Sequence, residues 1–400
     1  MKVALSFPGC HRRGGVERVV YECARHLAAR GHDVHVLACQ WQSDVEQVAT
    51  CHRVDSLSRP WFLKDRSYYS HCTRALSSMD YDVLSTHGVV CPTGGVHWVQ
   101  SLHIAWLERA RAMRPPLSIG RLKQRINPLH PEILRLEERH FRARSYKRLI
   151  ATTPVVRADL HRFYNVPEKD VAIIPNGFNP NEFSPAVRAA KRDEMRRRLG
   201  LEPDQIVLLL VANELERKGY RTILKALRIL DRRDIRLMVV GRPSVSAVKR
   251  LASLNGVSDL VMACGASQSV ADYHAAADLF VMPTEYEAFS LAILESLASG
   301  LPVVTTRVPG AQDAIQDGVN GALVRDPKNA EELAAALLPL LDAAVRENRS
   351  LHAPESVRQY AWPVVLEQYE RELLIAAGMT ASINRDACQN NLREPASVTV

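Results

Sequence analysis

The sequence predicts an α/β protein made of two parallel-sheet domains in tandem. Three observations carry this prediction. The chain has 400 residues, too many for one ordinary domain and about right for two of roughly 200 each. Its strand-like runs are short and solidly apolar, 206–212 being the longest clear one, as expected of sheets buried on both faces. Amphipathic stretches with a helical period alternate with them, and that alternation is the grammar of a Rossmann-like domain.

The first set opens with a strand at 2–7, turns through His11-Arg12-Arg13-Gly14-Gly15 and enters a helix at about 16–30. Gly31 ends that helix, because a glycine tolerates the left-handed backbone of a C-terminal cap, and 33–39 is the next strand. Further strands are expected at 83–85, 96–100 and 148–152. The second set runs through a strand at 206–212, a helix near 218–230, a strand at 235–240 and a helix near 245–254. A strand at 260–263, a helix around 270–276, a strand at 279–282, a helix at 289–299 and a strand at 303–305 complete it. Pro, Asn and Gly cluster between Ile174 and Pro185, where a hinge is expected. The expected organisation is a domain over 1–175, a second over 186–360, a helix over 361–378 crossing back to the first, and a loose tail over 379–400.

A hydrophobic content of 46% and a charged content of 24% exclude disordered and fibrous classes. No apolar run approaches the ~20 residues of a membrane helix, and the segment before Pro8-Gly9 is too short for a signal-peptide core. The eight cysteines are scattered with no CxxC pair, which points to reduced thiols and a cytoplasmic chain. The net charge of +8 is concentrated: 101–150 holds twelve Lys and Arg against four acids. A positive face of this kind suits an anionic partner. Arg114-Pro115-Pro116-Leu117 and Arg121-Leu122-Lys123-Gln124-Arg125-Ile126 mix cations with apolar side chains, a composition suited to peripheral contact with the inner face of a membrane; the alternative is a solvated basic helix face. No nucleic-acid-binding module accompanies the charge.

Several chemistries lack their signatures. There is no GxGxxG, no GxxxxGK[ST], no HExxH and no GxSxG. Asp80-Tyr81-Asp82 has a DxD form that can hold a divalent metal, but it leads directly into the strand at 83–85, where acids are common flanks.

The sharpest signal lies in the segment 283–303. Glu287 precedes a helix and Glu295 follows eight residues later, about two turns in. The amides near Ala288, Phe289, Ser290 and Leu291 open that helix, and unpaired N-terminal amides suit an anion such as a diphosphate. Glu295 sits deeper, placed to accept hydrogen bonds from ribose hydroxyls. The bland alternative is one capping acid and one solvated acid.

Glu287-x7-Glu295 followed by Ala298-Ser299-Gly300-Leu301-Pro302-Val303 is similar to the paired-glutamate motif of retaining, GT-B-fold glycosyltransferases of family 4. Ile174-Pro175-Asn176-Gly177-Phe178-Asn179 resembles the hinge signature of that family, and Gly14-Gly15-Val16-Glu17-Arg18 its N-terminal glycine loop. Gly31-His32-Asp33-Val34, 276–283 and Asp317-Gly318-Val319-Asn320-Gly321 also match in order, from about 1 to 378, with some resemblance to the lipopolysaccharide-core glucosyltransferase branch. The resemblance implies two Rossmann-like domains facing a central cleft. It also implies metal-independent transfer of a hexose from a nucleotide diphosphate sugar, UDP-hexose first and GDP-mannose second. The acceptor is a hydroxyl of a glycolipid, a polysaccharide or a small molecule. Rival readings are an idle GT-B nucleotide-sugar binder and a GT-B epimerase or phosphorylase.

Carried over residue by residue, Gly15 lets backbone approach the donor phosphate or the acceptor, and Lys218, opening a helix, neutralises the leaving diphosphate. His103 faces the donor sugar, Glu287 lies near the sugar hydroxyls, and Glu295 binds ribose. A satisfied core or surface histidine is the alternative for His103. Where the family usually has an arginine this chain has Asn213, with Arg217 beside Lys218 to supply the charge, and glycines usual around Glu287 are Ala288 and Ser290. The hinge aspartate is Asn179.

Overall fold

The computed structural model describes residues 1–57, 63–114, 119–267 and 269–379. The expected tail from 380 on, and residues 115–118 of the basic segment, lie outside the described residues. The chain divides into two compact units, Met1–Ile104 with Leu122–Ile174 and the end of the chain from Leu366, and Ala105–Arg121 with Pro175–Val365.

The first unit is built on a seven-stranded parallel sheet. Its strands, in spatial order, are Thr50–Arg53, Asp33–Ala38, Lys2–Ser6, Val83–Thr86, Val96–Val99, Arg148–Ala151 and Val171–Ile173. The chain starts in the middle, winds to one edge, then returns past its first strand, so the order reverses between Lys2–Ser6 and Val83–Thr86. The apolar positions of the inner strands are buried to zero or a few per cent exposure, which accounts for their uninterrupted hydrophobicity. Asp80 and Asp82 hold the first strand: Lys2 Nζ donates to Asp80 at 3.0 Å, and the Lys2 amide donates to Asp82 at 2.6 Å.

From Leu366 on, the helix Trp362–Ala376 packs in this unit. Tyr369 stacks on Trp98 at 5.1 Å and donates to Ser85 at 2.7 Å. Glu370 accepts from His32 at 2.8 Å and His26 at 3.1 Å, with Arg30 at 3.3 Å. Burial raises the Glu370 carboxyl, but His26, His32 and Arg30 outweigh it and bring it down to about 2.

The second unit holds a six-stranded parallel sheet in the order Val261–Gly265, Ile235–Val240, Ile206–Val211, Leu279–Met282, Val303–Thr306 and Gly321–Val324. Asp278, at the entry to the fourth strand in chain order, ties the unit together. It accepts the Val207 amide at 2.7 Å, Arg192 at 2.5 Å and Arg196 at 3.3 Å, the two arginines coming from the helix Pro185–Arg198. The hinge signature also has a packing reason. A Cβ on Gly177 would stand 2.6 Å from the Trp362 ring, and Phe178 exchanges backbone hydrogen bonds with Tyr360 and Trp362 at 3.0 and 2.9 Å.

Several cations of the positive face expected over 101–150 also make internal contacts. Arg148 pairs with Glu372 at 2.8 Å, Arg139 lies over the Tyr69 ring at 4.8 Å, and Lys147 and Arg142 donate to main-chain carbonyls. Of these, Arg148 is neutralised by an acid, whereas Arg139, Arg142 and Lys147 keep their charge and remain exposed.

Candidate functional site

In open parallel sheets, ligands bind beyond the carboxyl ends of the strands where strand order reverses. In the second unit that place lies between Ile206–Val211 and Leu279–Met282. The loops leaving these strands carry Asn213, Arg217 and Lys218 on one side and 283–290 on the other.

The two loops are joined backbone to backbone. The Glu285 amide donates to the Arg217 carbonyl at 2.8 Å, and the buried Thr284 hydroxyl lies 3.1 Å from the same carbonyl. Gly219 has φ 76°, and a Cβ there would stand 2.1 Å from the Pro283 carbonyl oxygen. Both the left-handed backbone and the missing Cβ are needed for this approach. The expected helix therefore begins at Tyr220, and Lys218 lies in the loop before it rather than opening the helix.

On this frame Arg217 donates through Nη1 to Glu287 Oε1 and to the Tyr286 carbonyl, each at 2.7 Å. Lys218 Nζ pairs with the same Glu287 oxygen, and Glu214 accepts from Arg217 Nε at 3.3 Å. Lys218 is 8% exposed. Burial pulls its ammonium below the ordinary value. Burial also pushes the Glu287 carboxyl up, but Lys218 and Arg217 outweigh that and hold it below the ordinary range. A buried ammonium and a partly buried guanidinium thus converge on one oxyanion. A phosphate group arriving there would meet positive charge that, at Lys218, has already lost most of its water.

The helix Leu291–Ala298 follows, with Ser290 as its N-cap and Glu295, 5% exposed, inside it. Ala288, Phe289 and Ser290 are buried. The Phe289 ring belongs to the core, edge-on to Tyr360 at 5.3 Å, and its carbonyl accepts from Asn176 at 3.2 Å. Asn213 is exposed, and its Oδ1 accepts the Arg242 amide at 3.4 Å, linking the loops after the first two strands of the sheet.

Gly15 and His103 belong to the first unit. The helix Gly15–Ala29 starts one residue after Gly14, whose φ is 139° and whose added Cβ would stand 2.3 Å from Glu17 Oε2. At Gly15 a Cβ would meet nothing within 4 Å apart from its chain neighbours and its own helix backbone. The close approach required by the chain itself falls on Gly14. His103 opens the helix His103–Ala112, and its Nε2 lies 3.0 Å from His130 Nδ1. Burial, helped by His130, brings the His103 imidazole down to about 4, so it is neutral at physiological pH. Among the described residues no group of three or more His, Cys, Asp or Glu is arranged to hold a metal ion.

Residues 13–182 match the family model described as Glycosyltransferase Family 4, and residues 205–343 match Glycosyl transferases group 1. A D-inositol 3-phosphate glycosyltransferase of Thermobispora bispora is 30% identical over 377 residues, covering 84% of each chain. The chain belongs to glycosyltransferase family 4. It is an enzyme of the GT-B class that moves a sugar from a nucleotide diphosphate sugar to an acceptor hydroxyl.

Among solved structures, WaaG, a glycosyltransferase involved in lipopolysaccharide biosynthesis, aligns with a TM-score of 0.80 at 25% identity, covering 93% of this chain and 99% of that one. Sucrose-phosphate synthase from Thermosynechococcus elongatus shares the fold, with a TM-score of 0.75 at 21% identity and coverage of 94% and 99%.

The glycosyltransferase also has contacts at the site loop that sequence reasoning missed. Arg109 lies over the Tyr286 ring at 5.6 Å, while Lys328 reaches Glu285 at 3.4 Å and the Met113 carbonyl at 2.7 Å. Nothing local in the sequence marks these partners, since each contact joins segments far apart in the chain. Thr284 could have been suspected, as a hydroxyl immediately after the Met282-Pro283 end of an otherwise apolar strand.

Proposed function

We propose that this enzyme transfers a hexose from UDP-hexose, with retention at the anomeric carbon and without a required divalent ion, to a hydroxyl of a glycolipid, polysaccharide or small-molecule acceptor. GDP-mannose is the second choice of donor. In this reading 1–175 serves the acceptor and 186–360 the donor. The observation that carries it is the convergence of Arg217 and Lys218 on one Glu287 oxygen at the point where strand order reverses.

The roles follow from charge and position. The donor diphosphate takes over the two cations, which stabilise the negative charge that develops as the bond to the sugar breaks. First-turn amides of Leu291–Ala298 add donors to the phosphate, and Glu295 accepts from ribose hydroxyls. Glu287, released from its cations, turns to the sugar hydroxyls, and His103 keeps the role of a group that faces the donor sugar. Arg217 supplies the charge that Asn213 lacks. Gly15 leaves room for the ligand, in keeping with the open space around it. The D-inositol 3-phosphate glycosyltransferase relative favours a phosphorylated small-molecule acceptor, and WaaG favours a lipopolysaccharide-type one.

Peripheral membrane contact through the basic segment is supported by the helix Ile119–Ile126, where Leu122 is 59% and Ile126 69% exposed beside Arg125. Sedimentation with anionic vesicles tests it: binding should weaken in Leu122→Ser with Ile126→Ser.

Thermal unfolding with UDP, GDP, ADP and NADH tests the donor. A ligand at 100 times its Kd stabilises by about 2.7 kcal/mol. UDP alone should shift the transition, and the anomeric coupling constant of the product then reads the stereochemistry. A shift with GDP alone would move the donor to GDP-mannose, and an inverted product would overturn retention.

A further inference from the structure

The helix Leu129–Glu137 lies in the middle of the basic segment, yet it ends in a carboxylate that is 1% exposed. Glu137 Oε1 accepts the backbone amide of His103, and Oε2 accepts the amide of Ile104 at 3.2 Å and the Tyr164 hydroxyl at 2.6 Å. Those two amides open the helix His103–Ala112, where first-turn N–H groups have no acceptor within their own helix. A carboxylate brought in from another helix satisfies them and complements the positive end of the helix dipole.

Seven residues before Glu137, on the same helix, His130 Nδ1 lies 3.0 Å from Nε2 of His103. Seven residues are close to two full turns, so His130 and Glu137 project from one side of their helix. One short helix therefore grips His103 twice, at the ring and at the backbone. The two grips are complementary, because a histidine held only by its amide can rotate about χ1 and χ2. The ring contact also fixes chemistry: two imidazoliums have no acceptor between them, so at least one ring is neutral, and the shared hydrogen assigns donor and acceptor roles to the His103 nitrogens.

We propose that Glu137 and His130 are positioning residues for His103, Glu137 setting where the residue sits and His130 setting its ring rotation and tautomer. The inference rests on the reading of His103 as the group that faces the donor sugar.

Steady-state kinetics on the full chain test it, with His103→Ala, Glu137→Gln, His130→Leu, His130→Asn and the double variant His103→Ala/His130→Leu. Glu137→Gln turns one acceptor oxygen into an N–H₂ group pointed at a donor. It and His130→Leu should each lower kcat about 10–100-fold through misplacement, with the donor KM held within about twofold. His130→Asn, which keeps a polar atom near the position of Nδ1, should recover most of the loss. The double variant should be no slower than His103→Ala alone, because a residue acting through His103 has nothing left to position. Losses that add in the double variant, or full kcat in His130→Leu, would overturn the proposal while leaving the His103 reading intact. Full kcat in His103→Ala would overturn that reading, and this inference with it. If Glu137→Gln does not fold, the His130 variants decide the matter by themselves.

Discussion

Arg217 and Glu287, 70 residues apart in the chain, meet through a 2.7 Å hydrogen bond, and Lys218 shares the same carboxylate oxygen. Removing the acid leaves the buried Lys218 and the partly buried Arg217 side by side, whereas removing Lys218 leaves an intact pair. Glu287→Gln should therefore cost about 3–5 kcal/mol of stability in urea denaturation. Lys218→Met should keep most of its stability and lose about 10²–10³-fold in kcat. A saturating nucleoside diphosphate should restore more stability to Glu287→Gln than it adds to the parent. Equal stability of the two variants would contradict this account.

The glycine loop predicts opposite outcomes at adjacent positions. Gly14 has a left-handed backbone and a crowded Cβ position, so Gly14→Ala should lower stability by more than about 1 kcal/mol. Gly15 begins a helix and has open space where a Cβ would go. Gly15→Ala should leave the melting temperature unchanged or slightly raised, while KM for the donor or the acceptor rises. Unchanged kinetics in Gly15→Ala would remove that glycine from the site.

Asp278 is the counter-ion of two arginines and the acceptor for a central-strand amide. Asp278→Ala should cost about 3–5 kcal/mol, since Arg196 would remain buried without its counter-ion. Asp272, which pairs with the half-exposed Lys191 at 2.8 Å, supplies the control. Asp272→Ala should cost no more than about 1 kcal/mol.

Acid should destabilise the first unit. Burial lowers the His87 imidazole to about 3 and the His140 imidazole to about 4, while in the unfolded chain histidine titrates near 6.5. Each contributes its full stability above that value. As the pH falls, the unfolded chain takes up protons that the folded one refuses, and stability is lost progressively down to the folded pKa. At pH 5 each should have cost about 2 kcal/mol relative to pH 7. Urea midpoints measured from pH 7 to pH 5 check this, and His87→Phe should flatten the slope.

What could be read from the sequence follows the range of the interactions involved. Central strands announced themselves by burial on both faces. Thr50–Arg53 did not, because Thr-Cys-His-Arg at a sheet edge has no apolar run to notice, and the three residues of Val171–Ile173 are too few to show a pattern. The helix after Ile206–Val211 starts later than its periodicity suggests, because the left-handed Gly219 interrupts the turn that Lys218 would have opened. The spacing of Glu287 and Glu295 was visible as a motif. The ion pairs of Glu287 and the cap that Glu137 places on His103 were not, because each depends on chain segments that meet only after folding.

Gly219 has one more consequence. Its missing Cβ lets the loop of the two cations rest directly on the carbonyl of Pro283, ahead of the loop of the acid. The separation between positive and negative charge is thus a dimension of the main chain, inherited by any variant that keeps this glycine. Side chains around the site can diverge to suit other sugars or acceptors without altering that spacing, whereas a single methyl group at 219 would change it for every substrate at once.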